Sequence, residues 1–241
     1  MIQAADLIAK FQYALDGNWG YIWGKTHEMW SEAKQAAYVR AYHDDKRRAN
    51  SVQYGGRWAG HWVTDCSGLF AWAFNELGGY IYHGSNTMYD KYCQQHGTLK
   101  KGLRSDGKPL LPGSAVFTGD GGNKGHVGLF CGNGKVIEAA GTQQGVIVSS
   151  VTDKKWTFWG ELKGVEYGDG GGAMPDIKPA EGEAIVTGVR VALREGPSTK
   201  AKVLTRIDTG ETVHKEAIPD GWEYVTANGK SGFMMKEFLR D

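Results

Sequence analysis

Cysteine is scarce in this chain: three in 241 residues, Cys66, Cys93 and Cys131, with no CxxC pair among them. Three thiols cannot all pair, which excludes a dense disulfide framework, and the spacing excludes the usual structural zinc pattern. At least one thiol stays free, as in a protein made in a reducing compartment. An excess of one charge is missing too. Against 28 basic side chains stand 27 acidic ones, a net charge of +1, without the concentrated basic surface that captures nucleic acid. No apolar run is long enough to span a membrane. The N-terminus, Met1-Ile2-Gln3-Ala4-Ala5-Asp6, lacks the basic-then-apolar order of a secretion signal. The expectation is a protein that stays inside, leaves by another route, or begins after a removed signal. What is abundant is glycine, 36 residues, and tryptophan, nine. They imply many tight turns and broad aromatic surfaces of the kind that meet carbohydrate or peptide.

The length allows one large domain or two ordinary ones. Apolar spacing predicts a helix near 4–15, with Ala4, Ile8, Phe11 and Leu15 on one face, and a second near 28–43 with a core-facing stripe of Trp30, Ala33, Ala37, Tyr38 and Ala41. The run Asp44-Asp45-Lys46-Arg47-Arg48 reads as solvated surface. From Leu110 onward the pattern changes to short strands between turns, at 115–117, 127–131, 135–140, 146–148 and 158–162. Residues 168–183 are rich in glycine and proline and read as a linker. Beyond it, five short strands in fewer than sixty residues predict a small β-barrel over 184–241.

Cys66 stands where an extended segment turns into an amphipathic helix: Leu69, Phe70, Ala73, Phe74 and Leu77 follow at helical spacing and Gly78-Gly79 supply the stop. Free N–H groups and the positive end of the helix dipole favour the thiolate there. A nucleophilic cysteine needs a base, and His126 in Gly125-His126-Val127-Gly128, after a glycine-rich loop and at the start of a strand, is the best-placed imidazole. His61, close in sequence to Cys66, is its rival; His27, His43, His83, His96 and His214 lie in polar or loop contexts and read as surface residues. Glu138 is a candidate to orient the base. A three-residue connection at Gly132-Asn133-Gly134 puts it diagonally across from His126 on one sheet face, whereas a two-residue turn at Asn133-Gly134 puts it on the other. Solvation on the outer face of the hairpin is the alternative for Glu138, as helix capping is for Asp65 and Ser67.

Tyr21-Ile22-Trp23-Gly24, Asp65-Cys66-Ser67-Gly68-Leu69, Pro112-Gly113 before Phe117, Gly125-His126-Val127-Gly128 and Gly132-Asn133-Gly134, in that order over most of residues 4–165, resemble the NlpC family of papain-like cell-wall peptidases. The resemblance implies an α+β fold, helices packed on an antiparallel sheet, over 1–167. It implies Cys66 as nucleophile, His126 as base, and Glu138 where the family more often has histidine. It further implies that Tyr21, Asp65 and Ser67 line a pocket for the free L-alanine amine of a peptidoglycan stem peptide, cut between γ-D-glutamate and a diamino acid. The Cys66 N–H would join the oxyanion hole. One departure is an inserted segment, residues 25–64, which brings Arg57 as a further candidate substrate contact and is either a wall of the cleft or an extra packing layer.

The second module resembles bacterial SH3-like domains through Val191-Ala192-Leu193-Arg194-Glu195-Gly196-Pro197-Ser198, Gly210-Glu211, Gly221-Trp222 and Gly229-Lys230-Ser231-Gly232-Phe233. Such modules hold an enzyme on the wall or shape its neighbouring site. The expectation is therefore a monomeric peptidoglycan endopeptidase with no cofactor, no metal, no nucleic acid and no membrane partner, in the layout of many phage lysins or of a secreted bacterial enzyme. An amidase or thiol acyltransferase on the same chemistry, or a wall-binding or virion protein without turnover, are the alternatives.

Overall fold

The computed structural model describes residues 1–153, 155–167, 182–188, 190–217, 221–227 and 229–240. The chain divides into two compact units, Met1–Cys131 with Lys135–Gly172, and Ala173–Asp241 with Gly132–Gly134. Of the expected linker, 168–181 lies outside the described residues.

In the first unit the leading helix spans Ala4–Asp16, with Leu7, Phe11 and Ala14 fully buried. That spacing is one face of a 3.6-residue period. The candidate nucleophile helix spans Cys66–Glu76, starts from extended Asp65 and closes at Gly78, whose φ of 73° suits glycine. Phe11 meets Phe70 edge-on, ring centroids 4.7 Å apart. Leu69, Phe70 and Phe74 share a core with Phe117, Val127, Leu129 and Ile137 of the sheet. Each such side chain contributes about 1.5–3 kcal/mol by leaving water.

The sheet has seven strands in the order Gly145–Ser150, Lys135–Gly141, His126–Gly132, Ala115–Thr118, Trp156–Leu162, Cys93–Lys100 and Leu103–Arg104. Every strand expected between 115 and 162 is present. The Cys93–Lys100 strand is an addition. Its polar Gln94, Gln95 and His96 carry no strand signal, and it forms by antiparallel pairing with Trp156–Leu162, His96 opposite Gly160. Tertiary pairing overrides propensity there.

Residues 25–64 have a small core of their own, Trp30, Tyr38, Trp58 and Val63 around Ile22. The helix expected over 28–43 is shorter, Glu32–Tyr42, capped by the Ser31 hydroxyl accepting from Lys34 N at 3.2 Å. Its alanine stripe is corrected as well: Ala33, Ala37 and Ala41 face solvent and Tyr38 is buried. A methyl group carries little apolar area, so the ring decides which face turns inward. The segment ends in a strand, Trp62–Thr64, that pairs parallel with Gly20–Tyr21 and antiparallel with Glu28–Met29.

The second unit is one sheet of seven short strands, ordered Val203–Ile207, Val191–Arg194, Lys230–Met235, Trp222–Ala227, Thr212–Ala217, Glu183–Val186 and Leu239–Arg240. Val186, Leu193, Ile207, Val213, Val225 and Met234 form its core. Two strands, Glu183–Val186 and Val191–Arg194, are separated around Gly188. There an added Cβ would lie 2.6 Å from Val191 Cγ2 and 2.7 Å from Phe238 Cδ1.

The inserted segment and the nucleophile helix meet without spare room. A Cβ on Gly68 would stand 2.1 Å from the Lys25 carbonyl oxygen, which already accepts the Asp65 N–H at 2.7 Å. Gly68→Ala is therefore expected to lower stability by about 1–3 kcal/mol, although alanine is the better helix former by about 1 kcal/mol. A urea midpoint equal to or above that of the parent protein would contradict this close approach.

Candidate active site

A cleft of about 550 Å³ opens at the start of the nucleophile helix, lined by Tyr21, Arg47, Asp65, Cys66, Ser67 and His83 among others. The Cys66 side chain is buried. Burial pushes its thiol up to about 12 and the Asp65 charge adds to the rise, while backbone hydrogen bonds from Val127, Ser67 and Cys66 itself oppose it. The helix start was expected to favour thiolate; desolvation outweighs that effect here. The resting thiol is neutral and needs a base to become a nucleophile.

The candidate base stands on a hairpin. His126 opens the His126–Gly132 strand, and Val127, the next residue, reaches the sulfur through its backbone. The His126 ring lies nearly parallel to Trp156, at 22° and 5.8 Å between centroids. Its Nε2 is 2.6 Å from Glu138 Oε2 on the Lys135–Gly141 strand. Asn133 and Gly134 form the tight turn of the hairpin, with φ of 55° and 69°, and Gly132 is also left-handed at 88°. A Cβ added to Gly128 would lie 3.2 Å from Glu138 Cβ, so residues 128 and 138 face each other. The strands thus keep the register of the longer connection, and the orienting carboxylate shares a face with the imidazole.

Glu138 is buried to 1% exposure. Burial alone would raise its carboxyl, but hydrogen bonds from His126 and Lys155 outweigh that and hold it at about 2. An ionised carboxylate only accepts. His126 Nε2 therefore donates to Glu138, and Nδ1 is the ring nitrogen that the carboxylate does not engage. The rival His61 stands edge-on to Trp58 at 5.8 Å.

Asp65 has several partners. Its Oδ1 accepts from Gly68 N at 2.8 Å and from the Ser67 hydroxyl at 3.3 Å, and its Oδ2 accepts from Gly24 N at 2.8 Å. His83 Nε2 lies 2.8 and 2.9 Å from the two oxygens. Capping is thus one of its functions, and the carboxylate also faces the cleft. His83 departs from the surface reading: it is half-buried, and the hydrogen bond to Asp65 raises its pKa. Burial pushes the Tyr21 phenol up, with Cys66 and Asp65 adding to it, so it stays protonated in the cleft wall. Arg57 is not among the lining residues. Its Nη1 donates to Gln143 O at 3.0 Å and its guanidinium lies 5.8 Å from the Trp58 ring. The inserted segment sends Arg47 to the cleft instead. Sequence reasoning missed His83 and Lys155, whose partners lie 18 and 17 residues away. No local pattern marks such pairs. Among the described residues, no group of three or more His, Cys, Asp or Glu side chains could hold a metal ion.

Residues 51–160 match the NlpC/P60 family and residues 189–240 match the bacterial SH3 domain. No curated protein matches the sequence. Among solved structures, the chain is similar to the P60 domain of antigen MAP1204 from M. avium subspecies paratuberculosis (22% identity, TM-score 0.40, 66% of this chain and 96% of that one). It is also similar to the NlpC/p60 domain of the peptidoglycan hydrolase SagA (16%, 0.41, 66% and 98%). A third likeness is the peptidoglycan hydrolase RipB from Mycobacterium tuberculosis (21%, 0.38, 66% and 65%).

The His83–Asp65 pair has a pH signature. His83 has a folded pKa above its ordinary 6.5, so the stability it adds is complete below 6.5 and is lost as pH rises through the folded value. The difference in unfolding free energy between the parent and His83→Gln is expected to shrink over that rise. A difference that stays flat from roughly pH 5 to 9 would mean that the pair's ionisation contributes nothing.

Proposed function

Carrying an NlpC/P60 domain followed by a bacterial SH3 domain, this chain is, we propose, a cysteine endopeptidase that hydrolyses stem peptides of bacterial peptidoglycan at the γ-D-glutamyl–diamino acid bond. The observation that carries the reading is the 2.6 Å contact of His126 Nε2 with buried, ionised Glu138, beside a thiol at a helix start. The SH3 domain would hold the enzyme on the insoluble wall and raise its effective concentration there.

The chemistry follows from these positions. His126 Nδ1 takes the thiol proton as Cys66 Sγ attacks the scissile carbonyl. The oxyanion of the tetrahedral intermediate is met by the Cys66 N–H, one of the N–H groups that a helix leaves without an intrahelical partner at its start. Collapse breaks the C–N bond, and His126 returns the proton to the leaving amine. The thioester is then hydrolysed by water, whose proton passes to His126 and back to the sulfur. Glu138 stays ionised throughout and stabilises the imidazolium. Tyr21, Asp65 and Ser67 are the proposed substrate contacts. An ammonium group of the substrate would share Asp65 with His83, since both bind the same oxygens.

Mass spectrometry of digested muropeptides tests both bond and activity. New N-terminal diamino acid ends are expected, whereas intact stem peptides released from glycan would identify an amidase instead. Cys66→Ala is expected to abolish clearing of purified walls. Equal clearing by the variant would leave a wall-binding protein without a catalytic cysteine.

A further inference from the structure

The catalytic reading uses Cys66, His126 and Glu138 and leaves one charged neighbour unexplained. Lys155 Nζ donates to Glu138 Oε1, the oxygen that His126 does not use. The carboxylate between the two donors has no exposed side-chain surface, while the lysine is 38% exposed. Lys155 Nζ also lies 4.6 Å from the centroid of the Trp156 ring on which His126 stacks. Lysine, carboxylate, imidazole and indole therefore form one connected group.

We propose that Lys155 is a positioning residue for the catalytic base: by engaging Oε1 it fixes the Glu138 carboxylate so that Oε2 is presented to His126 Nε2. The inference rests on the reading of Cys66 and His126 as nucleophile and base. Without the lysine, one oxygen of a buried carboxylate has no cationic partner, and the group can rotate or take up a proton. Either event frees His126 from the tautomer and orientation that leave Nδ1 for the thiol. An exposed ion pair would matter little; this one matters because its acidic partner is out of water. The titratable groups facing the carboxylate are His126 from its own hairpin and Lys155 from the approach to the Trp156–Leu162 strand. The Cys66 thiol stands beside Val127, the residue after His126.

The sign of the pH effect follows. Activity that needs ionised Glu138 is present above its folded pKa and is lost as pH falls through it. Removing Lys155 raises that pKa, so the loss begins at a higher pH. The test uses the full chain with Lys155→Met, Lys155→Arg and Glu138→Gln. Two quantities are measured: alkylation of Cys66 by iodoacetamide, followed at that residue by mass spectrometry, and the pH profile of kcat/KM on soluble muropeptides. Lys155→Met is expected to slow Cys66 alkylation at neutral pH about tenfold, the scale on which groups that orient a functional imidazole act, and to move the acid limb upward. Lys155→Arg is expected to restore both. In the Glu138→Gln background, Lys155→Met should change neither. Parental alkylation by Lys155→Met, an unmoved acid limb, or an equal loss in both backgrounds would overturn the proposal. Wall hydrolysis that survives Cys66→Ala would instead overturn the peptidase reading, and the alkylation rates would still decide for or against Lys155.

Discussion

The carboxylate of Asp65 ties together three stretches of chain that are far apart in sequence. The N–H of Gly24 belongs to the aromatic segment before the insertion, the N–H of Gly68 to the first turn of the nucleophile helix, and His83 to the segment after that helix. Hydrogen bonds to a charged group contribute about 1.5–3 kcal/mol each. The node therefore outweighs any single neutral contact near the cleft, and it fixes where the helix begins and so where the sulfur stands. It also has an electrostatic cost, because an anion next to Cys66 raises the thiol further. His83 is the one imidazole that shares this carboxylate among the described residues.

A second buried carboxylate does the corresponding work on the sheet. Glu138 is held between two donors at the edge of a hairpin whose three successive left-handed residues, Gly132, Asn133 and Gly134, set which face it occupies. Had the strands paired with the register of a plain two-residue turn, the carboxylate would have faced away from His126. Gly128 completes the arrangement by having no side chain where the Glu138 stem and Trp156 need the space. The His126–Glu138 half of the candidate site thus depends on glycines, each at a point where a Cβ or an ordinary backbone conformation would exclude the geometry.

The parts of this protein that are legible in its sequence are those carried by local pattern. The helix behind Cys66 is visible in Leu69, Phe70, Ala73 and Phe74, and its stop in Gly78. His126 stands out because a glycine-rich loop delivers it to the start of a strand. Glu138 was half legible: its face depended on the backbone of three residues that a sequence does not specify. His83 and Lys155 were not legible at all, since each owes its role to one partner brought close by tertiary structure. The thiolate expectation failed for a related reason: a helix dipole can be inferred from sequence position, whereas the burial that outweighs it depends on everything packed around the sulfur. The alanine stripe and the polar Cys93–Lys100 strand show that packing partners, not residue type, settle weak patterns.

The inserted segment leaves and re-enters the fold at one place. Gly20 pairs with Val63 and Tyr21 with Thr64, so everything between Ile22 and Trp62 is an excursion whose two ends are already held together by strand hydrogen bonds. For an excursion closed in this way, the entropy of closure grows only with the logarithm of its length, about 0.6 kcal/mol per doubling. Lengthening its exposed turns is thermodynamically cheap provided that the paired ends, the contact at Gly68 and the core around Trp30, Tyr38 and Trp58 are kept. The stretch that supplies Arg47 to the cleft wall can consequently change length at its surface turns while the paired ends hold the sulfur in place.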